Sequence, residues 1–189
     1  MNVLIIPEDP TNDRYILLPI IEKLFSTLKT RPIKISICEN PRMRGVSDAL
    51  NRQNLNDIVS RYAMIDLFIL CVDRDGNENR RGLLNELEIE YSGKAHFLAE
   101  NAWEEIETWV LAGLVVPKDW VWAKVRSDIS VKENYFDPLA RQRKLANGPG
   151  GGRKTLGQEA ARNVQAIRQK CPEDFGNLAN RLEALLAAA

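Results

Sequence analysis

The sequence predicts an α/β domain built on a mostly parallel four-stranded sheet flanked by helices, followed by a mainly helical C-terminal extension. Three observations predict it. Short apolar runs of strand length recur four times in the front part of the chain. Most of them are followed by a stretch whose apolar residues return at three-four spacing, the mark of an amphipathic helix. Beyond about residue 115 the strand-like runs stop and basic, mainly helical segments take over.

Each element has its own justification. Val3-Leu4-Ile5-Ile6, closed by Pro7, suits a strand buried on both faces. Ile16, Leu17, Ile20, Ile21, Leu24, Phe25 and Leu28 place a helix over roughly residues 13–29, with Pro19 inside the pattern as a kink signal. Residues 33–37 alternate like a strand, and Val46, Leu50, Leu55, Ile58, Val59 and Tyr62 fit one helix. Asp66–Val72 is the strongest strand signal and runs directly into Asp73-Arg74-Asp75-Gly76. A helix over about 79–91 and a strand over 95–99 follow, with His96 expected in the core. The next helix is expected from near Asn101 to Gly113, a C-cap. In the extension, residues 131–145 read as a basic helix broken by Pro138, and 147–152 as a glycine-rich flexible joint. Two helices close the chain, one from Thr155 and one after Pro172 that runs to Ala189. The expected organisation is therefore an α/β domain over 1–115 and a basic helical extension over 116–189.

Composition narrows the function classes. The 189 residues are 44% hydrophobic and 28% charged, a globular balance. Lys+Arg and Asp+Glu are equal at 26 each, but unevenly placed. Residues 1–117 carry 13 basic and 18 acidic side chains, and residues 118–170 carry 12 and 5. An acidic front beside a basic segment suits a carboxylate site next to a surface that meets anions. No apolar run reaches the length of a membrane span, and Met1-Asn2-Val3 leads straight into a strand, so no membrane association and a cytoplasmic location are expected. Three widely spaced cysteines and a single histidine argue against disulfide, zinc or His-rich sites. Acid–base chemistry here falls to carboxylates.

In an open parallel sheet, functional groups gather at the carboxyl ends of the strands. That places Glu8 and Asp9 after the first strand, Asp73 and Asp75 after the third, and Glu100 after the fourth, with Glu104, Glu105 and Glu107 on the next helix. Carboxylates massed at one edge repel unless a cation neutralises them, and hard oxygen donors select Mg²⁺ or Mn²⁺. Asp73 and Asp75, two apart, share a side if the strand stays extended, and Gly76 permits a sharp turn. Glu105 and Glu107 lie about 200° apart on a helix and cannot both face the strand ends.

The ordered set resembles a known arrangement: a first strand ending in Glu, a helix, and a later strand ending in Asp-x-Asp. It is similar to the Toprim fold of topoisomerases, primases and overcoming-lysogenization-defect nucleases, and more specifically resembles the bacterial DUF4276 family of Toprim-like proteins. Over residues 1–115 the family's Glu-Gly-x-Thr-Glu opening corresponds to Glu8-Asp9-Pro10-Thr11-Asn12, its Asp-x-Asp-Gly to Asp73-Arg74-Asp75-Gly76, and its Glu-x-Glu-x-Trp-x-Leu-Ala to Glu105–Ala112. The family's glycine is Asp9 here and its second acid is Asn12, with Asp13 one residue further on. The resemblance implies a Mg²⁺- or Mn²⁺-dependent phosphodiester hydrolase. Glu8, Asp73 and Asp75 would be its catalytic and metal-holding centre, and Asp13 and Glu105 further metal positions. It also implies an ATPase partner of the kind that serves phage-defence systems. The alternative is a non-catalytic Toprim-like module that binds nucleic acid or an ATPase.

In the extension, Lys124, Arg126, Lys132, Arg141, Arg143, Lys144, Arg153 and Lys154 form the candidate nucleic-acid track, with Trp120, Trp122, Tyr135 and Phe136 as stacking faces or core. A receiver domain is the rival fold. It fails because Cys71 stands where the phosphoacceptor Asp belongs.

Overall fold

The computed structural model describes residues 1–28 and 32–187. Strands β1 (Asn2–Pro7), β2 (Lys34–Ile37), β3 (Leu67–Asp73) and β4 (His96–Ala102) form one all-parallel sheet in the order β2-β1-β3-β4. The helices are α1 (Arg14–Thr27), α2 (Val46–Ala49), α3 (Arg52–Arg61), α4 (Arg80–Tyr91), α5 (Glu107–Gly113), α6 (Trp122–Arg126), α7 (Asp137–Gln142), α8 (Arg153–Ala161), α9 (Val164–Lys170) and α10 (Asn177–Ala187). Among the described residues no helix is long and apolar enough to cross a membrane.

β1 and β3 are unbroken apolar runs because they sit centrally with helices on both faces. Alternation sends Val3, Ile5, Leu67, Ile69 and Cys71 to one face, under α1, α5 and the C-terminal helices. Leu4, Ile6, Phe68, Leu70 and Val72 go to the other, under α3 and α4. The core thus lies on either side of the two strands that carry the acids. α1 buries Ile16, Leu17, Ile20, Ile21, Leu24 and Phe25 and runs unbroken through Pro19. Lys29, the last residue expected in it, lies outside the described residues.

Several boundaries differ from expectation. The single helix read over 46–62 is two, because the Asn51 side chain accepts from the N–H groups of Gln53 (2.9 Å) and Asn54 (3.2 Å) and caps a new start at α3. β4 continues through Glu100, Asn101 and Ala102, pairing with Cys71, Val72 and Asp73, so the helix expected from Asn101 starts only at Glu107. His96, expected in the core, is exposed, because it opens an edge strand at the rim of the sheet. Residues 132–142 form a π-helical turn (Lys132–Phe136) leading into α7, with Pro138 in its first turn. A second π-helical turn, Pro172–Gly176, leads into α10. Ala188 and Ala189 lie outside the described residues.

The C-terminal helices share the core of the α1 face. Small residues let α8 cross α1 and α5 at backbone contact: a Cβ on Gly157 would overlap the Tyr15 carbonyl, and one on Gly113 would lie 2.6 Å from the Ala160 carbonyl oxygen. Residues 147–152, expected as a joint, include a packed turn (Pro149–Gly152). Gly150 and Gly151 have φ 65°, and a Cβ on Gly150 would come within 2.8 Å of the Tyr15 ring.

Candidate functional site

All four strands point their carboxyl ends to one edge, and there β1 and β3 deliver Glu8 and Asp73 side by side. Glu8 Oε1 accepts the backbone N–H of Asp73. Asp73 Oδ1 in turn accepts the N–H of Ile106 (2.9 Å), just before α5. Asp13, at the start of α1, accepts the N–H of Asp9 through Oδ2 (2.9 Å). Asp9 takes Thr11 N–H (2.8 Å) and the Asn12 amide (2.7 Å), so Asp9 and Asn12 close the loop between β1 and α1 on themselves.

Burial and mutual repulsion leave these acids reluctant to ionise. Burial is the main cause lifting the Glu8 carboxyl to about 7; Asp75 adds to it, while the Asp73 N–H and Arg80 oppose it. Burial also lifts Asp13 to about 7, with Glu107, Asp9 and Glu8 adding charge repulsion. Asp73 is raised well above the usual carboxylate range, first by burial and then by Glu107, Glu8, Asp13 and Asp75. Asp9 behaves oppositely: burial raises it, but the bonds from Asn12 and Thr11 outweigh that and hold it low.

Asp75 arrives by a different route from the one its spacing suggested. β3 ends at Asp73, and Asp75 lies beyond it in a turn with φ 51°, its side chain 49% exposed. The turn is held by Glu104, whose backbone carbonyl accepts from Arg74 (2.9 Å) and Asp75 (3.2 Å) and whose carboxylate accepts from Gly76 N–H (2.7 Å). Asp75 has one ionic neighbour among the described residues, Arg80 at 4.0 Å, while Glu104 pairs with Arg74 at 3.3 Å.

Of the two glutamates weighed around the start of α5, Glu107 is the one whose charge raises both Asp73 and Asp13. It is buried and paired with Arg153, which also donates to the Gly150 carbonyl (3.0 Å). Glu105 is tied to the Lys132 N–H (2.6 Å), and burial lifts it to about 7. Glu100, expected at a strand end, is interior to β4 and 1% exposed. It is gripped by Arg81 (2.9 Å) and Arg181 (3.4 Å), which also hold Glu88, so it belongs to a separate ionic cluster.

The fit to a divalent ion rests on what is left over. Among the described residues Glu8, Asp13 and Asp73 have no ion-pair partner, and Glu8 Oε2, Asp13 Oδ1 and Asp73 Oδ2 accept no hydrogen bond. Three hard oxygens are thus spare in a field that favours a cation. Among the same residues no three Asp, Glu, His or Cys side chains are gathered around a common point.

The basic residues divide. Arg126 bonds Asp174 (2.9 Å) and Glu173 (2.6 Å), Arg143 bonds Glu159 (2.9 Å), Arg153 bonds Glu107, and Lys132 lies 3.4 Å from Glu133. Lys124, Arg141, Lys144 and Lys154 are exposed and have no ion pair among the described residues. Trp120 packs edge-on against Tyr135 (4.9 Å), and Trp122 donates to the Lys170 carbonyl (3.1 Å), both half-buried. Trp103, not singled out in the sequence, has the guanidinium groups of Arg74 (4.2 Å) and Arg126 (5.3 Å) over its ring. A cavity at the opposite, amino-terminal edge of the sheet, lined by Met1, Leu28, Tyr62, Phe68 and His96, touches none of Glu8, Asp13, Asp73 and Asp75. No family model, curated protein or solved structure matches the chain.

Proposed function

We propose that the chain is a Mg²⁺- or Mn²⁺-dependent phosphodiester hydrolase of Toprim type, acting on nucleic acid, with Glu8, Asp73 and Asp75 at its centre. The observation that supports it is the meeting of Glu8 and Asp73 at the sheet edge with Asp13 and Asp75 in electrostatic reach and no arginine or lysine within ion-pair distance of Glu8 or Asp73 among the described residues. Such a group is unstable by itself and stable around a hard cation.

Glu8, Asp73 and Asp75 would hold the ion, with Asp13 as a further ligand. A divalent ion bound there would stabilise charge on phosphoryl oxygens and lower the pKa of an attacking water. The chain's own contribution is orientation: Ile106 N–H fixes one oxygen of Asp73, and Asp73 N–H fixes one oxygen of Glu8. The turn at Asp75 is fixed by Glu104. No protein nucleophile is needed.

The test is incubation of the chain with DNA and RNA oligonucleotides in Mn²⁺, beside Asp75→Ala. Cleavage is expected in the wild type and is expected to vanish in the variant or in chelator. Affinity is also expected to fall steeply with salt, by a log–log slope of roughly −0.7 to −0.9 per phosphate contacted. Mn²⁺ binding with no turnover on any nucleic acid would replace this reading with the non-catalytic binding module. A flat salt dependence would remove Lys124, Arg141, Lys144 and Lys154 from the interface.

A further inference from the structure

Arg80 is the first residue of α4, immediately after the Asp73–Asn79 turn, and it is 7% exposed. A guanidinium carries five N–H donors and stays charged at any physiological pH. Burying one is costly unless acceptors surround it. The other buried or half-buried arginines near the acids are anchored: Arg126 holds Asp174 and Glu173, Arg153 holds Glu107 and Gly150, and Arg81 and Arg181 share Glu88 and Glu100, although Arg126 Nη1 and Arg153 Nε are also enclosed without a partner. Arg80, by contrast, hydrogen-bonds nothing among the described residues. Its Nε is fully enclosed without a partner, and among the described residues its side chain makes no hydrogen bond at all. Its single ionic neighbour is Asp75 Oδ2, 4.0 Å from Nη2 and outside hydrogen-bonding range. The same guanidinium is close enough to Glu8 to act on it electrostatically.

A buried cation with unused donors, aimed at a carboxylate group with unused oxygens, is the arrangement left when two ligands of opposite charge are missing together. We propose that Arg80 anchors a phosphate oxygen of the substrate, opposite the divalent ion held by Glu8, Asp73 and Asp75. This rests on the metal-site reading above and adds to it a residue that binds the anion. The planar fork of arginine matches two phosphate oxygens at once, which a lysine cannot do. The N-terminal end of α4 favours negative charge at the same place. Phosphate alone would meet the repulsion of the surrounding acids, so its binding at Arg80 depends on the divalent ion.

The experiment uses the full chain and two simple probes, Mg²⁺ and inorganic phosphate. Calorimetry and thermal unfolding are followed for the wild type, Arg80→Met and Arg80→Lys. Three results are expected. Without either probe, Arg80→Met melts at or above the wild type, since an unpaired buried charge has been removed. Mg²⁺ affinity stays within about threefold of the wild type in both variants. Phosphate, added at saturating Mg²⁺, binds the wild type and raises its melting temperature, but binds Arg80→Met and Arg80→Lys at least tenfold more weakly. The proposal is overturned if Arg80→Met melts well below the wild type or fails to fold, which marks a structural arginine. It is equally overturned if phosphate affinity is unchanged in the variants, or if the Mg²⁺-saturated wild type binds no phosphate. Phosphate binding that needs Arg80 but occurs without any Mg²⁺ binding would sink the metal reading instead and leave the arginine as an anion site.

Discussion

Asp73→Asn is expected to abolish Mn²⁺ binding while making the metal-free protein more stable at neutral pH. The first half follows from the ligand set. Asp73 sits at the end of the central strand β3, bonded by the Ile106 N–H on one oxygen with the other spare. An amide there presents at most one neutral oxygen to the ion. Partners outside a ligand set already change metal affinity by about 10–100-fold, so the loss of a charged ligand is expected to cost ~100-fold or more. The second half follows from linkage. Burial, then Glu107, Glu8, Asp13 and Asp75, hold the Asp73 proton more tightly in the folded chain than in the unfolded one. Glu8 and Asp13 are raised to about 7 for related reasons. Between the unfolded carboxylate range and about pH 7 the folded state therefore binds more protons. The stability these groups contribute is fully present below the unfolded values and is lost as pH rises through about 7. Unfolding of the metal-free wild type is accordingly easier at pH 8 than at pH 5, and Asp73→Asn, which cannot ionise, flattens that dependence. Mn²⁺ raises the melting temperature of the wild type and leaves that of the variant unchanged. A variant that still binds Mn²⁺ with wild-type affinity would remove Asp73 from the site.

Asp174→Ala is expected to destabilise the fold by about 3–5 kcal/mol, the cost of breaking a buried pair from one side. Asp174 is 1% exposed and belongs to the π-helical turn before α10. Its carboxylate accepts the Trp103 N–H (2.8 Å), the Trp109 indole N–H (2.8 Å) and Arg126 (2.9 Å). Alanine leaves the fully buried Trp109 indole without an acceptor and Arg126 with only the exposed Glu173. Asp174→Asn keeps one acceptor oxygen and is expected to lose less. Urea unfolding measures both. A loss below about 1 kcal/mol for alanine would mean that water replaces the carboxylate, and that this junction does not hold the C-terminal helices on the sheet.

The sheet was legible because its strands are locally encoded. β1 and β3 are continuous apolar runs ended by Pro7 and Asp73, so Glu8 directly follows the first and Asp73 closes the second. What local pattern could not carry is pairing across the chain. Glu100 reads as a strand-end acid, yet the strand continues through it because Arg81 and Arg181, one of them 81 residues away, make its burial tolerable. Arg126 reads as a phosphate contact, but its partner Asp174 lies 48 residues on. The motif points to Glu105, while the charge that raises Asp73 and Asp13 comes from Glu107, three residues after Glu104 and so on the same face if both were helical. That spacing is itself an incomplete guide, since Glu104 has φ 64° and precedes the helix. Arg80 had no signal in sequence at all, because a missing acceptor is visible only in three dimensions.

Side chains from two strands and a turn are expected to close around a single hard cation. Crystals soaked in Mn²⁺, with the anomalous signal of manganese collected, read that arrangement directly. The expected result is one strong peak bounded by Glu8, Asp73 and Asp75 at the carboxyl edge of the sheet, with their spare oxygens drawn to it. Saturating Mn²⁺ that leaves this edge without a peak, the acids remaining apart, would contradict it.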